Sequence, residues 1–378
     1  MLRFQVSKPV LAGREREYAL DAIDSGWISS SGPYISRFED AVASIVGIEE
    51  PIAVCNGTVA LHLACLALDL QPGQEVIVPA LTYVATANAV TYCGGKPILV
   101  DCDPNTWNVT AEAIEAALTP KTVGVIAVHL YGLPAPIDDI AALCKARGLW
   151  LIEDCAESLG ATVKGQATGA FGDAATFSFY GNKTISTGEG GMVHLRDPNL
   201  RLRARMLRGQ GMDPQRRYWH PIIGYNYRMT NVAAAIGLGQ IEQFGYHLGE
   251  RRRIAGSYYR GLAALAYDGA IQLPARLNDV ESSYWLFSIV LREGGPERRA
   301  RIQEILEREH GIETRPFFVP MHRLPMYSTG ARYRHSDFLG DHGINLPTYS
   351  GLGESEINEI AAAVCDAVQQ TAPSANNQ

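Results

Sequence analysis

The sequence predicts an α/β protein with a mainly parallel central sheet covered by helices on both faces, followed by a smaller α+β C-terminal domain. Three observations carry this prediction. Between Ala53 and about Val193, short apolar runs alternate with helix-like stretches. The strand-like runs are apolar throughout, as strands buried on both faces are. Near residue 247 the texture changes, which sets the two domains at 1–247 and 248–378.

In chain order, "VALHLACLAL" reads as helix, "EVIVPA" as strand, "ATANAVTYC" as helix and "PILVDCD" as strand. "TAEAIEAAL" and "IDDIAALCKARG" read as helices around the strand-like "VGVIAVHLYG", and "LWLIEDCA" follows as a further strand. "AATFSFYG" and "GGMVHL" look like two more strands on either side of the glycine-rich segment "GNKTISTGEGG". After "NVAAAIGLGQIEQF", a helical pattern from Arg251 to Leu265 leads to strand-like "SSYWLFSIVL", helical "RIQEILEREHG" and "IETRPFFV". The polar tail "TAPSANNQ" is expected to fray.

Composition narrows the function classes. The 378 residues include 47% hydrophobic and 19% charged residues, enough apolar matter for a large core. A formal net charge of -7 argues against a broad nucleic-acid or membrane-surface role, which needs an extended basic face. The seven cysteines show no paired metal-ligand spacing, so no metal site is expected and reduced thiols in a cytoplasmic protein fit best. No uncharged apolar stretch reaches the roughly 18 residues of a membrane span.

Open parallel sheets place ligands beyond the carboxyl ends of their strands, and candidate chemistry collects there. Asp154 closes the run "LWLIED"; buried, it needs a cationic partner, as a structural ion pair or as the group holding a proton on a pyridine nitrogen. Asn56, Gly57 and Thr58 precede an apolar helix, a start that serves equally as a plain N-cap or as a phosphate site. Neither a dinucleotide fingerprint nor a Walker-type loop is present. Tyr83 follows a strand and is either a core tyrosine or a face on which a planar ring stacks; Ser178 is an ordinary strand serine or one more phosphate contact. Lys183, between aromatic and glycine-rich runs, is either a solvated surface charge or an amine desolvated enough to react with a carbonyl.

Ten stretches in order, among them "SGWISSSGPYISRFE", "NGTVALHLA", "IEDCAESLGA", "FGDAATFSFYGNKTISTGEGGMV", "RRYWHPIIGYNYRMTN" and "ETRPFFVPMH", run from near residue 9 to about residue 350. In these the chain resembles the DegT/DnrJ/EryC1/StrS sugar aminotransferases. The resemblance implies a fold-type I, pyridoxal phosphate-dependent transferase. It makes Lys183 the Schiff-base lysine, Asp154 the partner of the pyridine nitrogen and Tyr83 the stacking ring. It also gives Gly57, Thr58 and Ser178 to the phosphate, sets Glu157 near the cofactor, and has Asn226 cross to the phosphate of the neighbouring subunit of a homodimer. Lysine rather than histidine at 183 favours amino transfer over the 3-dehydration of related proteins.

Within the group, the segments around Lys183, Arg216 and Arg315 most resemble enzymes that move an amino group from L-glutamate to C4 of GDP-4-keto-6-deoxy-mannose for surface glycans such as O-antigen. The alternatives are a UDP- or dTDP-linked 4-keto-6-deoxy sugar as acceptor, or a non-catalytic regulator that keeps the fold. Arg216 and Arg217, in the loop before "YWHP", are the candidate nucleotide contacts, since guanidinium groups suit pyrophosphate. The resemblance places Arg315 and His322 at the sugar entrance, His322 alternatively in a structural role, and Trp27 either lines the same entrance or packs. Arg201, Arg203, Arg205 and Arg208 are expected on a solvated helix face.

Overall fold

The computed structural model describes residues 2–372; the tail from 373 onward lies outside the described residues. Helices α1 (Glu15–Asp24) and α2 (Pro33–Val46) lead into strand β1 (Ile52–Val54) and helix α3 (Gly57–Ala67). The alternation inferred from the apolar runs follows as β2 (Glu75–Pro79), α4 (Ala85–Tyr92), β3 (Lys96–Val100), α5 (Ala111–Ala116), β4 (Thr122–Val128), α6 (Ile137–Arg147) and β5 (Trp150–Asp154). A short hairpin, β6 (Thr162–Val163) and β7 (Gln166–Ala167), precedes β8 (Ala174–Ser178) and β9 (Gly191–Leu195). Helices α7 (Pro198–Arg208), α8 (Asn231–Glu242), α9 (Phe244–Gly261) and α10 (Ala263–Tyr267) come next.

The large sheet has the order β1-β9-β8-β5-β4-β2-β3. Its β3, β2, β4, β5 and β8 run parallel, while β9 is antiparallel to both β8 and β1. Burial alternates between two faces that are both covered: Val76, Val78 and Ile126 join a core with α3, α4 and α7, whereas Ile77, Val125 and Ala127 join one with α5 and α6. This explains why the strands read as unbroken apolar runs. One such run misled on length: "VGVIAVHLYG" stops being a strand at Val128 and continues as a single 3-10 turn, with Tyr131 at φ 52°.

The second body holds β10 (Ile271–Gln272), β11 (Val280–Glu281), β12 (Phe287–Leu291), α11 (Gly295–His310), β13 (Arg315–Pro316), α12 (Arg334–His342), β14 (Gly343–Leu346) and α13 (Glu354–Gln370). Its antiparallel sheet, β10-β12-β14-β13, packs on α9, α11 and α13 through Tyr258, Phe287, Ile302 and Ile360. Position 247 falls inside α9, so the change of texture occurs within one continuous helix. Near the amino terminus, Phe4 bridges Ile312 and enters the core of this second body. Strand β11 pairs back onto β6 and so ties the second body to the first.

Candidate active site

A cavity of about 800 Å³ opens between the two bodies, at the carboxyl ends of the parallel strands. Gly57, Thr58, Tyr83, Asp154, Glu157, Ser178, Lys183 and Arg315, all singled out from the sequence, line it together.

Local structure sets each group. Asn56 caps α3 in an extended conformation, its Oδ1 accepting the Val59 N–H at 3.0 Å. The Gly57 and Thr58 N–H groups therefore stand at a helix start, where the peptide dipoles favour an anion. A Cβ on Gly57 would lie 2.9 Å from Ser178 Cβ, and one on Gly191 would lie 2.4 Å from the Asn56 carbonyl. Only glycine at both positions lets β9, the α3 start and Ser178 converge, which accounts for part of the glycine-rich run after Lys183.

Asp154 ends β5 with its carboxylate buried. It accepts from the Thr86 hydroxyl at 2.9 Å and the Ala156 N–H at 3.2 Å, and burial pushes its pKa up. Glu157 takes the Tyr131 N–H at 2.6 Å, and burial raises it to about 7. Lys183 Nζ lies 3.9 Å from Glu157 Oε1 and 3.7 Å from the centre of the Trp285 ring, with only 13% of its side chain exposed. Burial lowers its proton affinity, as a reactive amine requires. The solvated-lysine alternative is thereby excluded.

The comparisons with known proteins agree with this geometry. The family model described as DegT/DnrJ/EryC1/StrS aminotransferase matches residues 9–365. The chain is 47% identical to GDP-perosamine synthase of Caulobacter vibrioides, covering 96% of this chain and 97% of that one. It is 45% identical to GDP-perosamine synthase of Escherichia coli O157:H7, covering 97% of each. The chain belongs to the DegT/DnrJ/EryC1/StrS aminotransferase family. Its fold is close to that of the putative sugar aminotransferase Spr1654 from Streptococcus pneumoniae in the PLP form, with a TM-score of 0.91, 26% identity, and 98% and 100% of the two chains covered.

Pyridoxal phosphate is the cofactor of this aminotransferase family. The donor set fits it: a glycine-walled anion cradle at α3, a buried carboxylate with acceptor capacity to spare, and a desolvated amine meet in one cavity.

Other residues named for the family lie elsewhere. Asn226 is exposed, outside the cavity, with its Oδ1 accepting from Arg228 Nε at 3.0 Å. Arg216 and Arg217 stack on Trp219 and Tyr218 in a loop away from the cavity lining. Trp27 is 54% exposed, and its carbonyl accepts from Asn231 Nδ2. The expectation that His322 faces the entrance is corrected: it is buried, 2.9 Å from Asp337, and packs on Tyr333. The solvated helix face is corrected in part, because α7 lies along the large sheet. Arg201 is 7% exposed beside Glu49, and Arg208 donates to the Ala53 carbonyl at 2.8 Å.

Sequence reasoning missed Thr86, Tyr131, Asn182 and Trp285, which touch the key groups. Asn182 and Trp285 line the cavity, and Asn182 Oδ1 is buried with no partner among the described residues. It also passed over the His129–Glu153–Cys155 cluster, whose atoms lie within 4.8 Å of one another. That cluster is engaged internally. His129 Nδ1 accepts the Ala135 N–H, which leaves the Nε2 proton for Glu153 at 3.2 Å. Glu153 also receives the N–H groups of Gly169, Phe171 and Gly172 at 2.7–2.8 Å.

Proposed function

We propose that the protein transfers the amino group of L-glutamate to C4 of GDP-4-keto-6-deoxy-D-mannose, giving GDP-perosamine for a surface glycan such as O-antigen. The observation that carries the chemistry is a single cavity holding Lys183, Glu157, Asp154 and the α3 cradle. The acceptor rests on the two GDP-perosamine synthases, each at least 45% identical over nearly the whole chain.

When bound, pyridoxal phosphate supplies an electron sink that makes the α-carbon of an amino acid acidic. The Gly57 and Thr58 N–H groups and the Ser178 hydroxyl would hold its phosphate, and Tyr83 would stack on the ring. Asp154 would keep the proton on the pyridine nitrogen; a carboxylate whose charge is disfavoured by burial binds such a cation strongly. Lys183 would anchor the cofactor, and its Nζ, when free, would move the proton in both half-reactions. The Glu157 carboxyl, raised to about 7, accepts or returns a proton close to that amine. Arg315 lies at the rim of the cavity, paired with Glu313 at 3.0 Å, and its exposed guanidinium suits an anionic part of either substrate.

Asn226 is assigned to the phosphate site of a second copy. Its exposure, outside its own chain's cavity, supports donation across a homodimer interface. Arg216, Arg217 and Trp27 are exposed groups that such an arrangement could bring to the nucleotide. Nucleotide-sugar and amino-donor substrates are those of a cytoplasmic enzyme.

The test is incubation of the purified protein with pyridoxal phosphate, L-glutamate and GDP-4-keto-6-deoxy-mannose, read by mass spectrometry, with UDP- and dTDP-linked 4-keto-6-deoxy sugars in parallel. GDP-perosamine as the preferred product is expected. Preferred turnover of another nucleotide would overturn the acceptor, and no amino transfer to any sugar by cofactor-loaded protein would overturn the reaction.

A further inference from the structure

Arg251, on α9, is 2% exposed and has no carboxylate partner among the described residues. Burying an unpaired cation costs several kcal/mol or more by ordinary measures, so a compensating arrangement is required. The arrangement consists of three backbone carbonyls from separate segments: Trp285 at 2.5 Å, Thr348 at 2.9 Å and Lys183 at 3.3 Å. Two of these belong to the second body and one to the loop that carries the reactive amine.

Trp285 makes the same connection from its other end. Its indole N–H donates to the Asn182 carbonyl at 2.8 Å, and its ring face receives Lys183 Nζ at 3.7 Å. Asn182 is held once more from the N-terminal segment, by the Ser7 hydroxyl at 3.1 Å. The backbone just before Trp285 is also constrained. Tyr284 sits at φ 47°, and a Cβ on Gly132 would meet the Ser283 hydroxyl at 2.4 Å and the Trp285 N–H at 2.8 Å. A cation over an indole is worth about 0.5–2 kcal/mol, more as it is desolvated.

We propose that Arg251 and Trp285 are positioning residues for the Lys183 amine: Arg251 fastens the Lys183 backbone to the second body, and the Trp285 ring holds the amine, when free, within reach of Glu157. The inference rests on the functional reading above, in which the amine must leave the cofactor and recapture it in each cycle. A four-carbon side chain released into an 800 Å³ cavity would otherwise explore many rotamers. The ring confines it without neutralising it. The charged groups that act on the amine are Glu157 and Asp154, which favour its charge, and Arg251, which opposes it.

The test separates capture from binding. Apoprotein is mixed with pyridoxal phosphate, whose covalent capture by Lys183 is followed by absorbance and by borohydride trapping, and separately with pyridoxamine phosphate, which binds without needing the amine. For Trp285→Leu, capture is expected to slow by about ten-fold, while pyridoxamine phosphate affinity stays within about two-fold of wild type. Trp285→Phe, which keeps a π face but loses the N–H, is expected to recover part of the capture rate. Arg251→Lys should slow capture in the same sense; if that variant fails to fold, the two Trp285 variants decide. Equal losses in capture and in pyridoxamine phosphate binding, or no loss in either, would overturn the proposal. A wild-type chain that takes up neither cofactor form would overturn the functional reading itself.

Discussion

Replacing Gly57 by alanine tests the anion cradle with opposing expectations. Were residue 57 an ordinary first-turn helix position, alanine would stabilise the protein by about 0.4–1 kcal/mol through the unfolded chain. Instead the new Cβ would lie 2.9 Å from Ser178 Cβ, 3.2 Å from its Oγ and 3.4 Å from its Cα. Carbon pairs rest at roughly 3.5–4.0 Å, so the α3 start and the end of β8 must part by about half an ångström or more. Those two groups are the proposed walls of the phosphate site. Hydrogen bonds to a charged group contribute about 1.5–3 kcal/mol each. Losing one fully, or two in part, weakens pyridoxal phosphate binding by roughly 10- to 150-fold. The assay is titration of apoprotein with the cofactor by absorbance, beside thermal unfolding of the apoprotein. In the double variant Gly57→Ala/Ser178→Gly the two nearest atoms are gone. Binding should then regain only what the clash removed at the Gly57 and Thr58 N–H groups, because the Ser178 hydroxyl contact to the phosphate, itself about 1.5–3 kcal/mol, is lost as well. Wild-type affinity in Gly57→Ala would refute the cradle.

Lys183→Ala should abolish amino transfer and leave no borohydride-trappable cofactor on the protein, as measured by peptide mass spectrometry. Glu157→Gln should change the pH dependence of apoprotein stability. With the native carboxyl raised to about 7 from an ordinary 4.5, the folded state holds the proton more tightly. Wild-type stability should therefore fall, relative to the variant, between these values by roughly 3 kcal/mol and stay lower above them, as read by denaturant unfolding at a series of pH values. Mixing Lys183→Ala with Asn226→Ala chains should restore more transfer than either alone, approaching about a quarter of wild type if dimers re-form at random, because one of the two sites in a mixed dimer is then intact. Glu153→Gln should destabilise the fold by about 3 kcal/mol or more in chemical unfolding, whereas Asp154→Asn should unfold no more easily than wild type yet lose transfer.

The alternation of β2 through β5 with their helices was legible because both faces of the sheet are buried, which leaves apolar runs that only the helices interrupt. Boundaries set by backbone conformation were not. Nothing in "VGVIAVHLYG" shows that the chain leaves the sheet at Val128, since Leu130 and Tyr131 stay buried in the turn that follows. The same holds for "SSYWLFSIVL", in which only Phe287–Leu291 is strand and the preceding aromatic is a cavity wall. Long-range placement was equally hidden. Phe4 belongs to the core of the second body, more than 300 residues away in sequence from its partner Ile312.

For the site, residue types at strand ends and the helix start were legible, but their partners were not, and partners decide what a buried group does. Glu153 and Asp154 make the point, since they are neighbours of like chemistry at the end of one strand, both buried. Alternation along β5 sends them to opposite faces. Glu153 meets three N–H groups and His129, which satisfies its oxygens and makes it a structural acceptor. Asp154 meets one N–H and one hydroxyl, keeps acceptor capacity on the cavity side, and is pushed by burial toward protonation. Ionising it costs stability at neutral pH, because its folded pKa lies above its unfolded one. Such a carboxylate gains most from a cation delivered to it, and that imbalance, rather than burial or position, distinguishes the cofactor's partner from the structural acid beside it.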